Sequence, residues 1–297
     1  MLDGEPREHF GFVDGISQPL YSKAEQPNPA PQNFDPGAGL ASLLVPDPFT
    51  QAPDAFASFF VFRKLEQNVK AFNMAVSSLA HRLGMPDDRL AGAMAVGRFC
   101  NGDPVVLHEA ASGPKPQLPP QNDFNYGIDP SALKCPFQGH IRKTNPRGDI
   151  GRLVGTPGPV AAGLDAGERA RRIARRGITY GDRAHDLTDE PKADVGLLFM
   201  CYQANIPDQF AFMQKNWVNN DNFAPKPLEV GQDTLIGQGS HADAQVWPTS
   251  WGKPPQGSPH FQIGPRVSAN TGSSASMAAN RSTSGSKRCS GMVGMSS

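Results

Sequence analysis

The chain has 297 residues, of which 38% are hydrophobic, and it carries 28 acidic and 28 basic side chains. This length can bury a substantial core as one large domain or two small ones. The zero net charge argues against nucleic-acid binding as the global role. The sequence contains no run of about 18 apolar residues, so it predicts no membrane-spanning helix. The 31 glycines and 29 prolines predict a loop-rich globular protein. No close pairing motif favours disulfides or zinc among the cysteines, which are Cys100, Cys135, Cys201 and Cys289.

The first regular elements are predicted after a long irregular segment. Residues 1–55 contain glycine or proline every few positions and read as extended loops. Residues 58–64 are aromatic and β-branched, a pattern typical of a buried strand. Apolar residues at helical spacing then predict an amphipathic helix over 65–76. A second helix is predicted over 86–98, with proline in its first turn and two aspartates near its positive end.

A second group of elements is predicted after another loop-like stretch. Residues 173–180 favour a short strand, and the almost continuously apolar run 195–202 predicts a central strand. A helix is expected over 208–217, because its aromatic residues fall on one face. A strand followed by a helix, occurring twice, fits a ferredoxin-like split βαβ unit, so we expect an α+β fold.

The chain divides into three parts on this interpretation. Residues 1–55 form a loop segment, residues 56–265 form the ferredoxin-like domain, and residues 266–297 form a tail rich in Ser, Gly, Ala and Asn. The tail composition cannot bury enough apolar surface to fold, so we expect it to be disordered.

Asp14 is the first candidate for chemistry. It lies between glycines in Gly11-Phe12-Val13-Asp14-Gly15, and a carboxylate held among apolar groups tends to have a raised pKa. The same dipeptide is also one of the commonest turn sequences, so a simple turn is the alternative.

His140 is the second candidate. It lies in a loop-like stretch and is followed by three cations, Arg142, Lys143 and Arg147, which could form a solvated basic turn. The functional alternative is a neutral imidazole bound to a metal, with the cations pairing anionic groups of a cofactor. A zinc site is not supported, because Cys135 and His140 supply two ligands where four are usual.

Arg175 is the third candidate, in a region where basic residues are concentrated. Residues 140–183 contain ten Lys or Arg against four Asp or Glu. A nucleic-acid patch would need interleaved aromatic residues or a groove-reading helix. Ile173 and Ile178 instead indicate a strand with one buried face, where a cation would meet an anionic ligand.

These three stretches, taken in order, resemble the dye-decolorizing peroxidases, a family of haem enzymes whose motif is Gly-x-x-Asp-Gly. The resemblance covers roughly residues 5–263 and is greatest to the fungal-type members. It implies the C-terminal half of a dimeric α+β barrel-type fold, holding haem b. It also implies that His140 ligates the iron as the proximal ligand and that Arg142 and Arg147 bind the haem as cofactor-binding residues.

The resemblance implies a haem peroxidase that uses hydrogen peroxide to oxidise dyes and phenolic compounds by one-electron steps. Asp14 would be the distal acid that moves a proton between the peroxide oxygens. Arg175, favoured over Arg172 and Arg176 by its position before Gly177, would stabilise the developing negative charge. Because an aspartate base works at lower pH than histidine, we expect an acidic optimum. Asp208 is the predicted hydrogen-bond partner of the proximal histidine.

The resemblance also predicts an incomplete scaffold. Family members of this type carry about one further ferredoxin-like domain before the Gly-x-x-Asp-Gly motif, and residues 1–55 would be a remnant of it. We therefore expect an exposed apolar sheet face that invites a partner or an oligomer. The alternative is a truncated peroxidase-like protein that is catalytically weak or inactive, either a non-catalytic interaction module or a gene-model fragment.

Overall fold

The computed structural model describes residues 7–13, 17–21, 35, 37–116, 120–153, 166–182, 194–223, 230–238, 245–253 and 261–264. Asp14 and the tail over 266–297, predicted to be disordered, lie outside the described residues.

The strands form three antiparallel sheets in the part of the chain described. The short strands β1 (Val45–Pro46) and β2 (Phe56–Ala57) pair with each other, so residues on the two sides of the predicted boundary at 55/56 are in contact. The largest sheet contains β3 (Phe59–Glu66), β4 (Ala174–Tyr180) and β5 (Gly196–Gln203). A third sheet pairs β6 (Gln245–Pro248) with β7 (Phe261–Gly264).

The largest sheet has the split βαβ arrangement that the sequence predicted. Its order is β3-β5-β4, and β5 is antiparallel to both neighbours, so β3 and β4 run parallel on either side of it. The prediction of a central strand over 195–202 is confirmed, as is the α+β class. Alternation along the strands gives the sheet an inner face, which carries Arg63, Phe199 and Arg175, and an outer face.

Six α-helical segments accompany the sheets in the described ranges. Two long helices follow β3, and the others are shorter and lie later in the chain. They are α1 (Val69–Leu83), α2 (Asp88–Val96), α3 (His140–Thr144), α4 (Asp149–Leu153), α5 (Ala166–Arg169) and α6 (Phe210–Phe212), which continues into a π-helical turn over Met213–Val218.

The helix boundaries correct three predictions. Leu65, predicted as the first helical residue, belongs to β3, because α1 begins only after Asn68, whose side chain caps the Ala71 amide at 2.9 Å. His140, predicted in a loop, is the first residue of α3. The second predicted helix begins at Asp88, two residues after its predicted start at 86, because the Asp87 carboxylate caps the Arg89 amide.

Two apolar clusters hold the described elements together. Helices α1 and α2 bury Phe72, Leu79 and Met94 in a cluster that also includes Trp247 of β6. A second cluster joins Cys201 of β5 to the side chains of α6 and the π-helical turn, among them Trp217. The second cluster fixes the distance between the inner face of the sheet and α6.

The outer face of the sheet is apolar and exposed. Phe60 and Phe62 of β3 are 42% and 53% exposed, so the prediction of a buried strand is wrong for this face. Tyr202 of β5 contacts the Phe60 ring at 5.0 Å between centroids, and Ile178 of β4 is also exposed. None of the helices described is long and apolar enough to cross a membrane.

Candidate active site

A cavity lies between the inner face of the sheet and the elements that carry His140 and Trp217. Its walls are mainly apolar, and Phe12, Phe199 and Leu235 are examples from three separate segments. Among the described residues, the charged side chains of the lining are two glutamates and four arginines, which are Glu8, Glu168, Arg63, Arg171, Arg172 and Arg175. The cavity therefore suits a large apolar ligand that bears anionic groups.

His140 enters this cavity from the first turn of α3, and a buried carboxylate fixes its ring. Its Nδ1 lies 2.9 Å from Asp233 Oδ2 and 3.1 Å from Oδ1. An ionised carboxylate only accepts hydrogen bonds, so Nδ1 carries a proton, and in the neutral ring the lone pair is then on Nε2. Among the described residues no hydrogen bond uses Nε2. This tautomer, held by a carboxylate, is the one that metal-binding histidines adopt.

Asp233 is itself held in place by backbone amides. Its side chain has no exposed surface, and its Oδ1 accepts hydrogen bonds from the amides of Leu235 and Ile236, each at 2.8 Å. Burial opposes ionisation, but the electrostatic attraction of the His140 ring, its hydrogen bond and the two backbone amides outweigh it and lower the pKa of Asp233. The carboxylate therefore stays ionised in a site that excludes water.

The prediction that Asp208 is the partner of His140 is wrong. Asp208 has a side chain that is 63% exposed, and it pairs with Arg171 at 3.3 Å. Asp233 occupies the predicted role, 93 residues after the histidine. No local motif marks it, because only the folding of distant segments brings the two side chains together.

The structure distinguishes the three arginines considered for the distal position. Arg175 lies on the inner face of β4 and lines the same cavity as His140. Arg176 is the next residue along the strand, so it points to the outer face and is exposed. Arg172 lines the cavity too, but its guanidinium is buried in ion pairs with Asp35 and Glu168.

Arg142 is buried inside the protein instead of facing the cavity. Its guanidinium binds Asp149 through Nε at 2.8 Å and Nη2 at 2.9 Å, and Asp129 through Nη1 at 3.0 Å. Burial acts to lower the pKa of this guanidinium, but the charge and hydrogen bonds of the adjacent Asp149 carboxylate act in the opposite direction. The net effect is a raised pKa. With all three nitrogens engaged, Arg142 holds the loop before α3 to α4.

Arg147 is also fully buried and does not line the cavity. Its Nη2 donates to Asn122 Oδ1 at 2.6 Å, and burial lowers its pKa to about 10. The structure thus brings His140 and Arg175 together at the cavity but leaves Arg142 and Arg147 away from it.

The segment after Asp14 is anchored to the elements that carry the other candidate residues. The Ser17 carbonyl accepts from Asn145 Nδ2 at 3.1 Å, in the loop that follows α3. Gln18 Oε1 accepts from the Arg175 backbone amide at 3.0 Å. Asp14 itself lies outside the described residues, whereas Ser17 and Gln18 are hydrogen-bonded to both sides of the cavity.

Comparison with known proteins extends these observations. A multifunctional dye peroxidase from Amycolatopsis is 43% identical over 268 residues, which is 84% of this chain and 54% of the relative. The dye-decolorizing peroxidase of Auricularia auricula-judae is 37% identical over 247 residues, 78% of this chain and 47% of the relative. The chain belongs to the dye-decolorizing peroxidase family. It spans about half the length of the curated relatives it matches.

The solved structures of dye-decolorizing peroxidases agree with this assignment. The Anabaena enzyme superimposes with a TM-score of 0.74 at 44% identity, over 87% of this chain and 54% of that one. The model of the family described as "Dyp-type peroxidase, C-terminal" matches residues 161–229, which include Arg175 and strand β5. The family assignment therefore rests on both sequence and fold.

Proposed function

We propose that this chain is the haem-binding part of a peroxidase that uses hydrogen peroxide to oxidise dyes and phenolic compounds by one-electron steps. The observation that carries the proposal is the His140–Asp233 pair at the wall of an apolar cavity that Arg175 also lines. The names of the relatives support the substrate class, since one related structure is a dye-decolorizing peroxidase complex with 2,6-dimethoxyphenol.

Haem b is the cofactor that these residues fit. His140 offers a neutral nitrogen whose tautomer Asp233 fixes, and the apolar walls suit a porphyrin. The cationic lining suits its carboxylates, and Arg171 is a candidate in place of the buried Arg142 and Arg147. A haem bound here would supply the reduction of hydrogen peroxide and the oxidation of the donor.

The catalytic roles on the peroxide side are assigned to Asp14 and Arg175. Asp14 would take a proton from one peroxide oxygen and deliver it to the other as the O–O bond breaks. Arg175, which is permanently charged, would stabilise the negative charge that develops on the leaving oxygen. Val13 and Ser17, the described residues that flank positions 14–16, both line the cavity, which supports this assignment.

The test is haem uptake followed by peroxide-dependent dye bleaching. The chain purified with added haem should show a Soret band and bleach an anionic dye only with peroxide, whereas His140→Ala should lose the Soret band. Because Asp14 is the proposed base, the pH–rate profile should be maximal in the acidic range. A haem-free chain would refute the proposal, haem uptake without bleaching would favour a non-catalytic module, and an alkaline maximum would exclude Asp14 as the base.

A further inference from the structure

Arg63 is a cavity-lining cation that the assignments above leave without a role. It lies on the inner face of β3, opposite Phe199 of β5 in the register of the sheet. Leu65, two residues further along β3, lines the same cavity. The neighbours Phe62 and Lys64 point to the outer face, because side chains alternate along a strand. The guanidinium of Arg63 is thus directed to the ligand side of the sheet.

Arg63 differs from Arg171 and Arg172 in its partners. Arg172 pairs with Asp35 and Glu168, and Arg171 pairs with Asp208. In the described residues the side chain of Arg63 makes one hydrogen bond, from Nη1 to Gln214 Oε1 at 3.4 Å, and no carboxylate is within ion-pair distance. This hydrogen bond is at the long limit for such a contact.

A half-buried cation without a counter-ion is costly to a folded protein. Burial lowers the pKa of Arg63, and no carboxylate of the described residues offsets this effect. An anionic ligand group would provide the missing partner, and a guanidinium binds a carboxylate through two parallel hydrogen bonds.

The position of Arg63 on the sheet separates it from Arg175. Arg63 lies on β3 and Arg175 on β4, the two edge strands of the sheet, with β5 between them. The residues opposite them on β5, Phe199 and Cys201, are two positions apart. Two strand spacings and this offset put their Cα atoms about 12 Å apart. This separation would allow the two arginines to contact different parts of one large ligand.

We propose that Arg63 binds a carboxylate of the ligand that His140 holds, and that for bound haem this group is a propionate. This inference rests on the proposed function. The alternative source of the carboxylate is an anionic electron donor, and the test separates the two.

The experiment compares two porphyrins and three chains. Wild type, Arg63→Met and Arg63→Lys are titrated with ferric protoporphyrin IX and with its dimethyl ester, and binding is followed at the Soret band. Arg63→Met should bind the free acid about 10- to 100-fold more weakly than wild type does, which is the range for a lost charge-assisted pair. Arg63→Lys should recover part of this loss. The dimethyl ester should bind wild type and Arg63→Met alike, because its propionates carry no charge.

Arg176→Met is the matched control, since it removes an exposed arginine from the outer face and should leave both affinities unchanged. Equal affinities of wild type and Arg63→Met for the free acid would overturn the inference. If Arg63→Met bound haem normally but bleached an anionic dye more slowly than wild type, Arg63 would be assigned to the electron donor instead. Equal weakening of both porphyrins would also overturn it, because the role would then be structural. A wild type that binds neither porphyrin would refute the proposed function and this inference with it.

Discussion

Replacing Asp233 with asparagine is expected to weaken haem binding through the tautomer of His140. The carboxylate accepts two hydrogen bonds at Oδ1, from the backbone amides of Leu235 and Ile236. Its Oδ2 accepts a third, from the imidazole of His140 at 2.9 Å. An amide has one accepting oxygen, which must stay with the two backbone amides. Its NH2 group then faces the imidazole and favours the tautomer with the proton on Nε2, the nitrogen that has to bind iron.

The expected size of the effect follows from the burial of this contact. When iron is bound at Nε2, the proton returns to Nδ1 and two donors face each other in a site with no exposed surface at Asp233. The cost of losing such a charge-assisted hydrogen bond is about 2 kcal/mol, which is roughly 30-fold in affinity. Mutations of residues that orient metal ligands typically cost about 10- to 100-fold, in the same range.

The assay is a haem titration with the Soret band as the readout, and the midpoint potential of the bound haem as the second measurement. The carboxylate makes the imidazole a stronger electron donor to the metal, so Asp233→Asn should raise the midpoint potential of the bound haem. A purely structural defect would weaken haem binding without this shift in potential. Asp208→Asn is the control, because Asp208 is exposed and pairs with Arg171. Unchanged affinity and potential in Asp233→Asn, or an effect confined to Asp208→Asn, would refute the reasoning.

Three further predictions concern stability and are checked by urea unfolding. Arg142→Met should lose about 3–5 kcal/mol because it removes the arginine that pairs with the buried Asp129 and leaves Asp149 with Arg152 alone, whereas Arg171→Met should lose less than about 1 kcal/mol, and similar losses would contradict the buried role. Burial lowers the pKa of Lys143 from 10.5 to about 8. Since the unfolded chain binds the extra proton between these values, wild type should gain stability relative to Lys143→Met as pH rises through this window, and a flat difference would exclude it. In Gly139→Ala the new Cβ would lie 2.7 Å from the Met94 carbonyl, so we expect a loss of about 1–3 kcal/mol, while Gly113→Ala, with nothing within 4 Å, should lose no more than about 0.5 kcal/mol.

The exposed face of the sheet shows how local pattern and tertiary context diverge. The aromatic run that became β3 predicts a strand correctly, because β-propensity and alternation are local properties. Whether each face of that strand is covered depends on what packs against it. Phe199 on the inner face packs near Phe210, whereas Phe62 on the outer face is 53% exposed.

The arginines illustrate the same limit at the site. The sequence places a concentration of cations around His140 and Arg175, and alternation along β4 separates Arg175 from Arg176. It does not distinguish a cation that pairs with a buried carboxylate from one that faces a ligand. Arg142 and Arg63 each follow an apolar residue and precede a lysine, and only their surroundings in the fold assign them different roles.

By itself, the sequence determined the three strands of the largest sheet, the two long helices, the split βαβ class and the candidacy of His140 and Arg175. These features depend on residues that are close in the chain, through periodicity, capping and short motifs. The tertiary structure alone decided that Asp233 orients His140 and that Arg142 is buried in ion pairs. The physical reason is that burial and charge pairing are long-range: the carboxylate that fixes the imidazole is 93 residues away in the chain and 2.9 Å away in space.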